Sequence, residues 1–75
     1  MALDIISKLD SENTIATLTL SGSLDTSTAE QLDAAAAQML LPTVKLAVLD
    51  MKHVSYISSA GIRSVFKIVK TIAVR

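Results

Sequence analysis

The chain has 75 residues, no net charge and no cysteine, and 51% of its residues are hydrophobic. Its length allows one domain at most, and it offers neither a basic patch nor enough aromatic residues to bind nucleic acid. The lack of cysteine excludes disulfides, thiolate zinc sites and a cysteine nucleophile. No apolar run reaches the roughly 18 residues needed for membrane insertion, and no signal-peptide pattern opens the chain. We therefore expect a cytoplasmic protein.

The first predicted elements are two strands joined as a hairpin. The segment LDIISKLD is a short, mostly apolar strand, and TIATLTLSG alternates, with Ala16, Leu18 and Leu20 on one side and threonines on the other. Alternation with β-branched residues is typical of a half-buried strand. The polar residues DSEN between the two segments predict the turn, and Gly22 predicts the end of the second strand.

A helix follows this hairpin. Ser27 and Glu30 fit the S-x-x-E capping box, in which each side chain satisfies the other's free backbone N–H. Apolar residues then recur at helical spacing between Ala29 and Leu40. Pro42 predicts where the helix stops.

The third strand and the second helix complete the predicted fold. TVKLAVLDM is an almost unbroken apolar run, which predicts a central strand buried on both faces. A helix between two strands implies a crossover onto a parallel partner. In the last segment, IRSVFKIVKTIAV, we expect Ile62, Val65, Phe66 and Val69 to face the core. The order β-β-α-β-α predicts an α/β fold with a mixed sheet and packed helices.

Two serines, Ser58 and Ser59, stand where the third strand meets the second helix. A serine hydrolase would need a base, for which His53 is the sole histidine, and the nucleophile motif G-x-S-x-G is replaced by ISSAG. Scattered carboxylates such as Asp25 and Asp50 have no metal-ligand spacing. The sequence therefore predicts no enzyme, no metal and no cofactor.

Two interpretations of the serines remain open. Serine is a favoured N-cap, since its hydroxyl accepts a hydrogen bond from a free N–H at the start of a helix. The same position suits an anion, and a phosphate on serine would add a charge of about −1.5 to −2 there without melting the helix. A partner that buries this surface would then face an uncompensated charge, so phosphorylation would switch binding without any catalysis by the domain.

The segments around these serines resemble the STAS domain of bacterial anti-sigma factor antagonists. YISSAGIRSVFK, after the apolar strand VKLAVLDMKHV, is similar to one family signature. LSGSLDTSTAEQL is similar to the other, G-x-L-D followed by A-x-x-L. Both occur in the expected order and at the expected separation, and the resemblance extends from about Ile5 to Ile72.

The resemblance assigns expected roles to individual residues. The family motif commonly reads D-S-S/T-G-L, and the serine after the aspartate is phosphorylated by a cognate kinase. Ser58 stands in the place of the aspartate, Ser59 in that of the acceptor and Gly61 in that of the glycine. Ser59 is thus the predicted phosphorylation site, with Ser58 as the rival. The implied partner surface comprises Asp25, Thr26, Ser58, Ser59, Gly61, Ile62 and Arg63.

The resemblance also implies a function in partner switching. The unphosphorylated domain would bind an anti-sigma factor of the GHKL serine-kinase class and thereby free a sigma factor. Phosphorylation would end this binding, and a PP2C-type phosphatase would reset it. The alternative, from another class, is a constitutive STAS scaffold or regulatory subunit of a transporter or larger signalling assembly, in which phosphorylation has no role.

The length of the chain departs from the family pattern. STAS domains usually continue with a further strand and helix, so we expect residues 1–75 to form a single STAS-like domain resembling the N-terminal two-thirds of a typical one. One sheet edge and some apolar surface would then be uncovered, which fits the high mean hydropathy of +0.52. We expect this surface to promote a homo-oligomer.

Overall fold

A computed structural model describes residues 2–74, which form a three-stranded sheet and two helices. The predicted order β-β-α-β-α is confirmed. Strand β1 is antiparallel to β2, and β2 is parallel to β3 across the crossover helix, so the sheet is mixed as predicted. The elements are β1 (Leu3–Leu9), β2 (Ile15–Leu24), α1 (Ala29–Met39), β3 (Leu46–Ile57) and α2 (Ser59–Ala73).

The core lies between one face of the sheet and both helices. Ala16, Leu18 and Leu20 of β2 are fully buried, in the predicted alternation. Leu32 of α1 and Ile68 of α2 close the core from the helix side. Burial of one leucine side chain stabilises the fold by roughly 1.5–3 kcal/mol, so the central strand and these helix residues supply much of the apolar stabilisation.

Strand β2 runs further than the sequence predicts. The prediction that Gly22 ends this strand is wrong, because β2 continues to Leu24. Gly22 has a φ of +109°, and a Cβ at this position would collide with the carbonyl oxygen of Ala2. The register between β2 and β3 also shifts between Gly22 and Ser23. The glycine therefore marks an irregularity inside a strand, where only a residue without a side chain fits.

Strand β3 is an edge strand, not the predicted central one. The order of the sheet is β1-β2-β3, which places β2 in the centre. Leu46 and Val48 are 51% and 41% exposed, whereas Ala47 and Leu49, which alternate with them along the strand, pack against the core. The apolar run predicts burial on both faces, but the described residues cover only one.

Helix α2 buries only part of the predicted side, because Val65 packs against the core but Ile62, Phe66 and Val69 are exposed. Its buried residues are Gly61, Ser64 and Ile68, whereas Phe66, a predicted core residue, is 58% exposed. The Ser64 hydroxyl donates to the carbonyl oxygen of Ala29, 3.3 Å away. Because Gly61 and Ser64 are small, the first turns of α2 approach the sheet and α1 closely, while Ile68 fills the core further along the helix.

Candidate functional site

The predicted site residues lie where β2 and β3 end side by side. Leu24, the last residue of β2, pairs with Ile57, the last residue of β3. The backbone N–H of Ser58 donates to the carbonyl oxygen of Leu24 at 2.8 Å. Since the carboxyl ends of parallel strands meet at one edge of a sheet, the loop that begins at Asp25 lies beside the start of α2.

Ser58 is the N-cap of α2. Its backbone is extended, and its Oγ accepts a hydrogen bond from the N–H of Gly61 at 3.2 Å. Its carbonyl oxygen accepts the next helical hydrogen bond, from the N–H of Ile62 at 2.9 Å. One of the two serines is therefore a helix cap, which confirms the first of the two interpretations for Ser58.

Ser59 is the first residue of α2 and is exposed. Its hydroxyl makes no hydrogen bond with any residue between 2 and 74. The free N–H groups of a helix start and the helix dipole favour negative charge at this position. Of the two adjacent serines, Ser58 has its oxygen engaged in the cap, and Ser59 presents an unengaged hydroxyl.

Asp25 organises the loop that precedes α1. Its Oδ1 accepts hydrogen bonds from the N–H of Ser27 at 2.9 Å, from the Ser27 hydroxyl at 2.6 Å and from the N–H of Thr28 at 3.1 Å. These bonds, that from the Ser27 hydroxyl above all, hold the pKa of Asp25 below its ordinary value. The carboxylate is therefore ionised at neutral pH, and it fixes the shape of the loop.

The predicted capping box of Ser27 and Glu30 is not formed. Thr28 is the N-cap of α1, without a side-chain capping bond, and the hydroxyl of Ser27 is bonded to Asp25 instead. The Thr28 Oγ1 donates to the carbonyl oxygen of Ser23 at 2.8 Å and accepts from the N–H of Asp25 at 2.9 Å. Thr28 is absent from the predicted site residues, although an aspartate followed by hydroxyl residues is the typical pattern of such a turn.

A shallow hollow of about 380 Å³ lies between the first turns of the two helices. Thr26 and Arg63, both predicted partner residues, line it together with Glu30 and Lys67. Lys67 also pairs with Asp33, with 3.3 Å between Nζ and Oδ2. Because the lining carries both signs of charge and is open to water, it is a mixed polar surface, and its ion pair contributes little to stability.

The predicted partner residues differ in accessibility. A Cβ at Gly61 would lie 2.7 Å from both Cγ and the carbonyl oxygen of Leu24, so the backbone packs closely here and Gly61 has no contact surface of its own. The exposed members of the set are Thr26, Ser59, Ile62 and Arg63, the half-buried members are Asp25 and Ser58, and Gly61 is buried.

No catalytic arrangement surrounds Ser59 in the described part of the chain. His53 lies on β3, five positions before Ser58, and extended backbone of that length places the two about 16 Å apart. Within residues 2–74, no three histidine, aspartate or glutamate side chains group as metal ligands. Over the same residues, no helix is both long enough and apolar enough to cross a bilayer.

Comparison with known proteins identifies the fold. The model of the STAS domain family matches residues 7–75, whereas no curated protein sequence matches the chain. The structure of the anti-sigma factor antagonist SpoIIAA in its unphosphorylated form superposes with a TM-score of 0.76 at 17% identity, over 95% of this chain and 64% of that chain. The Bacillus cell fate determinant SpoIIAA in its phosphorylated form gives 0.75 at the same identity and coverage. The chain therefore spans less than two thirds of these structures, and the likeness establishes the fold.

Proposed function

The chain belongs to the STAS domain family, and we propose that it is an anti-sigma factor antagonist controlled by phosphorylation of Ser59. Unphosphorylated, it would bind an anti-sigma factor of the GHKL serine-kinase class and free the sigma factor. A phosphate on Ser59 would end this binding, and a PP2C-type phosphatase would restore it. STAS domains regulate rather than catalyse, so the chain would be the substrate of the kinase, and both would work in the cytoplasm.

The state of the Ser59 hydroxyl carries this proposal. It is exposed at the first position of α2 and engaged by no described residue, so a kinase can reach it without opening the fold. The neighbouring Ser58 continues to cap the helix through its bond to Gly61. Phosphorylation would therefore change the charge of the surface while leaving its shape in place.

The surroundings of Ser59 support a switch that acts on binding. Ile62, one turn further along α2, is 42% exposed, and Arg63 and Thr26 are exposed beside the hollow between the helices. A partner that covers Ile62 would also bury the oxygen of Ser59. A phosphate there would have to lose its hydration or stay unpaired, at a cost of several kcal/mol, which is enough to release a partner.

The solved relatives support the same mechanism without identifying the partners of this chain. SpoIIAA is described as an anti-sigma factor antagonist and has structures in a phosphorylated and an unphosphorylated form. Both statements concern that protein, of which this chain matches 64%. The kinase, the phosphatase and the released sigma factor are therefore parts of the proposal, and each needs its own test.

Phosphosite mapping tests the proposal directly. The chain would be incubated with ATP, magnesium and each GHKL-type serine kinase of the same genome, and analysed by intact and tandem mass spectrometry. We expect one phosphate, on Ser59, which the Ser59→Ala variant lacks and the Ser58→Ala variant retains. The phosphorylated chain should no longer form a complex with the kinase on size-exclusion chromatography.

Two other results would change the conclusion. A phosphate on Ser58 would keep the switch and move the acceptor to the rival residue. If no kinase phosphorylated the chain and the chain bound stably to a transporter or signalling assembly, the domain would be a scaffold. The two serines would then serve only at the start of the helix.

A further inference from the structure

Arg63 is the charged residue nearest to Ser59 along the chain. From Ser55 to Ile62 the sequence contains no charged residue, and the cap residue Ser58 is neutral. Arg63 follows Ser59 by four positions in α2. Residues at this spacing are neighbours on the surface of a helix, with about 5–6 Å between their Cβ atoms. A phosphate on Ser59 would therefore have one cationic side chain within reach on its own helix.

The direction of helical side chains favours a contact between Arg63 and Ser59. Every Cα–Cβ bond of an α-helix is tilted towards the N-terminus, and a long side chain lies over the preceding turn. This rule directs Arg63 towards the turn that carries Ser59, and Arg63 lines the hollow between the helices together with Ala60 of that turn. An acidic group four residues before a basic one is also the better order for such a pair.

The guanidinium of Arg63 is not engaged elsewhere in the described chain. Arg63 is exposed, and its side chain forms no ion pair or hydrogen bond with any residue between 2 and 74. Two carboxylates line the same hollow. That of Asp33 is paired with Lys67 at 3.3 Å, whereas Glu30 forms no ion pair within the same range. Glu30 is therefore the rival with which a phosphate would compete for Arg63.

We propose that Arg63 binds the phosphate once Ser59 is phosphorylated. A guanidinium donates two parallel hydrogen bonds to phosphate oxygens, a geometry that a lysine ammonium does not provide. The inference rests on the proposed function, because it concerns how the same phosphate acts after it has been added. Arg63 is a positioning residue in this role, since it holds the phosphate and takes no part in its transfer.

This ion pair would make one modification act twice on the predicted partner surface. Before phosphorylation, the surface next to Ser59 carries the positive charge of Arg63. Afterwards, a phosphate charge of about −1.5 to −2 outweighs the guanidinium, and the local net charge becomes negative. Arg63, one of the predicted partner residues, is then occupied by its own chain. A partner would meet an added anion and would also lose a cation.

The start of α2 stabilises a phosphate as well, and this effect is separable from that of Arg63. The positive end of the helix dipole favours a doubly charged phosphate whichever residue occupies position 63. Arg63→Gln removes the guanidinium and leaves the dipole unchanged. The difference between the wild-type chain and this variant therefore measures the ion pair alone.

The test uses the full chain with a phosphate on Ser59, introduced as genetically encoded phosphoserine so that no kinase is needed. Phosphorus NMR titration would measure the second pKa of the phosphate, which is about 6 in an unpaired phosphoserine. A bound guanidinium favours the dianion, so we expect this pKa to be at least about 0.5 lower in the wild-type chain than in Arg63→Gln. Arg63→Lys should restore part of the shift, and about 1 M salt should reduce it.

Lys70→Gln is the matched control, because it removes the same charge from the same helix. Lys70 is exposed and lies eleven positions from Ser59, which is about 16 Å along the helix axis. At this distance the charges are largely screened, so Lys70→Gln should change the phosphate pKa by less than about 0.1.

Three results would overturn the inference. An equal phosphate pKa in the wild-type chain and in Arg63→Gln would mean that the guanidinium does not bind the phosphate. Equal shifts for Arg63→Gln and Lys70→Gln would reduce the effect to the overall charge of the helix. An effect of Arg63→Gln that appears only in combination with Glu30→Gln would mean that Glu30 holds Arg63 in the wild-type chain.

The failure of the proposed function is recognised by a different measurement. If no kinase phosphorylates the chain in the mapping experiment, the proposed switch is wrong, and the ion pair loses its regulatory role whatever the phosphate pKa. If a kinase phosphorylates Ser59 but Arg63→Gln leaves the phosphate pKa unchanged, the switch stands and the role of Arg63 is wrong.

Discussion

The two helices begin beside each other, after strands that run parallel, yet their first turns are built differently. Before α1, the Oδ1 of Asp25 accepts hydrogen bonds from the N–H and the hydroxyl of Ser27 and from the N–H of Thr28, so the hydroxyl of Ser27 is held within the loop. At α2, Ser58 alone is engaged, and the hydroxyl of Ser59 is left without a partner among the described residues. The side chains at the start of α1 bond to one another, whereas the start of α2 exposes the hydroxyl of Ser59.

This difference indicates how a small domain can be modified without losing its fold. The start of α2 is anchored by the N–H of Ser58, bonded to Leu24, and by Gly61, packed on the same residue. Neither anchor involves the hydroxyl of Ser59. The residues that hold the helix in place are therefore separate from the residue that we propose to be modified, although they are neighbours in the sequence.

The largest expected effect comes from breaking the anchor at Gly61. In an ordinary helix, Gly→Ala stabilises by about 1 kcal/mol. Here the added Cβ would lie 2.7 Å from Leu24 Cγ and from the Leu24 carbonyl oxygen, which also accepts the bond from Ser58. We expect Gly61→Ala to lower the free energy of unfolding by about 2–3 kcal/mol, as overpacked positions do, measured by urea denaturation.

Ala60→Gly is the matched control for this change, because it reverses the exchange one residue earlier in the same turn. It should cost no more than about 1 kcal/mol, the difference in helix propensity. If Gly61→Ala proved as stable as the wild-type chain, the close approach to Leu24 would not be what fixes the start of α2.

The second effect compares the two serines directly. Ser58→Ala removes the oxygen that accepts the N–H of Gly61 and should lower the free energy of unfolding by about 1 kcal/mol, the usual cost of a lost N-cap. Ser59→Ala removes a hydroxyl that has no partner among the described residues, and it should change the free energy of unfolding by less than about 0.5 kcal/mol. If thermal unfolding showed the same loss of stability for both variants, the proposed difference in role between these serines would be wrong.

The sequence predicts the elements well where local pattern and tertiary environment agree. The alternation in β2 identifies Leu18 and Leu20 as core, because the strand is covered on one face along its length. The apolar run of β3 predicts a central strand wrongly, because burial of the second face of the strand depends on what lies over Leu46 and Val48. A capping box between Ser27 and Glu30 fails for a different reason, since Asp25 competes for the same hydroxyl.

Helix α2 shows the limit of periodicity for the candidate site. Its sequence contains two sides that both fit a buried helix face, and the larger, with Phe66, is the natural prediction. The structure leaves Phe66 exposed, although Val65 still packs against the core. The helix is buried along Gly61 and Ser64, because Gly61 fits under Leu24 and Ser64 bonds to α1. The position of the site follows from motifs at two strand ends. The engagement of Ser58 and the freedom of Ser59 depend on contacts that no motif specifies.

The smallest expected effect concerns Asp25, which holds the loop at the start of α1. Its pKa is lowered in the folded chain, chiefly by the hydrogen bond from the Ser27 hydroxyl. A lowered folded pKa means that the stabilisation is complete above the ordinary value of 3.8 and is lost as the pH falls through the lower, folded value. Asp25→Asn should therefore be less stable than the wild-type chain at neutral pH, and the difference should shrink in acid, measured by urea denaturation at a series of pH values.

Asp10 provides the control for this pH dependence. Its pKa is also lowered, chiefly by the backbone N–H of Ile15, but it lies in the hairpin loop between β1 and β2, outside the candidate site. Asp10→Asn should show the same loss of acid sensitivity and leave the rate of phosphorylation of Ser59 unchanged. Asp25→Asn should also slow the phosphorylation of Ser59, because the loop beside α2 loses its fixed shape. If the loss of stability in Asp25→Asn were constant with pH, the ionised carboxylate would not be what holds the loop before α1. The contrast between the two helix starts would then rest on Ser58 and Ser59 alone.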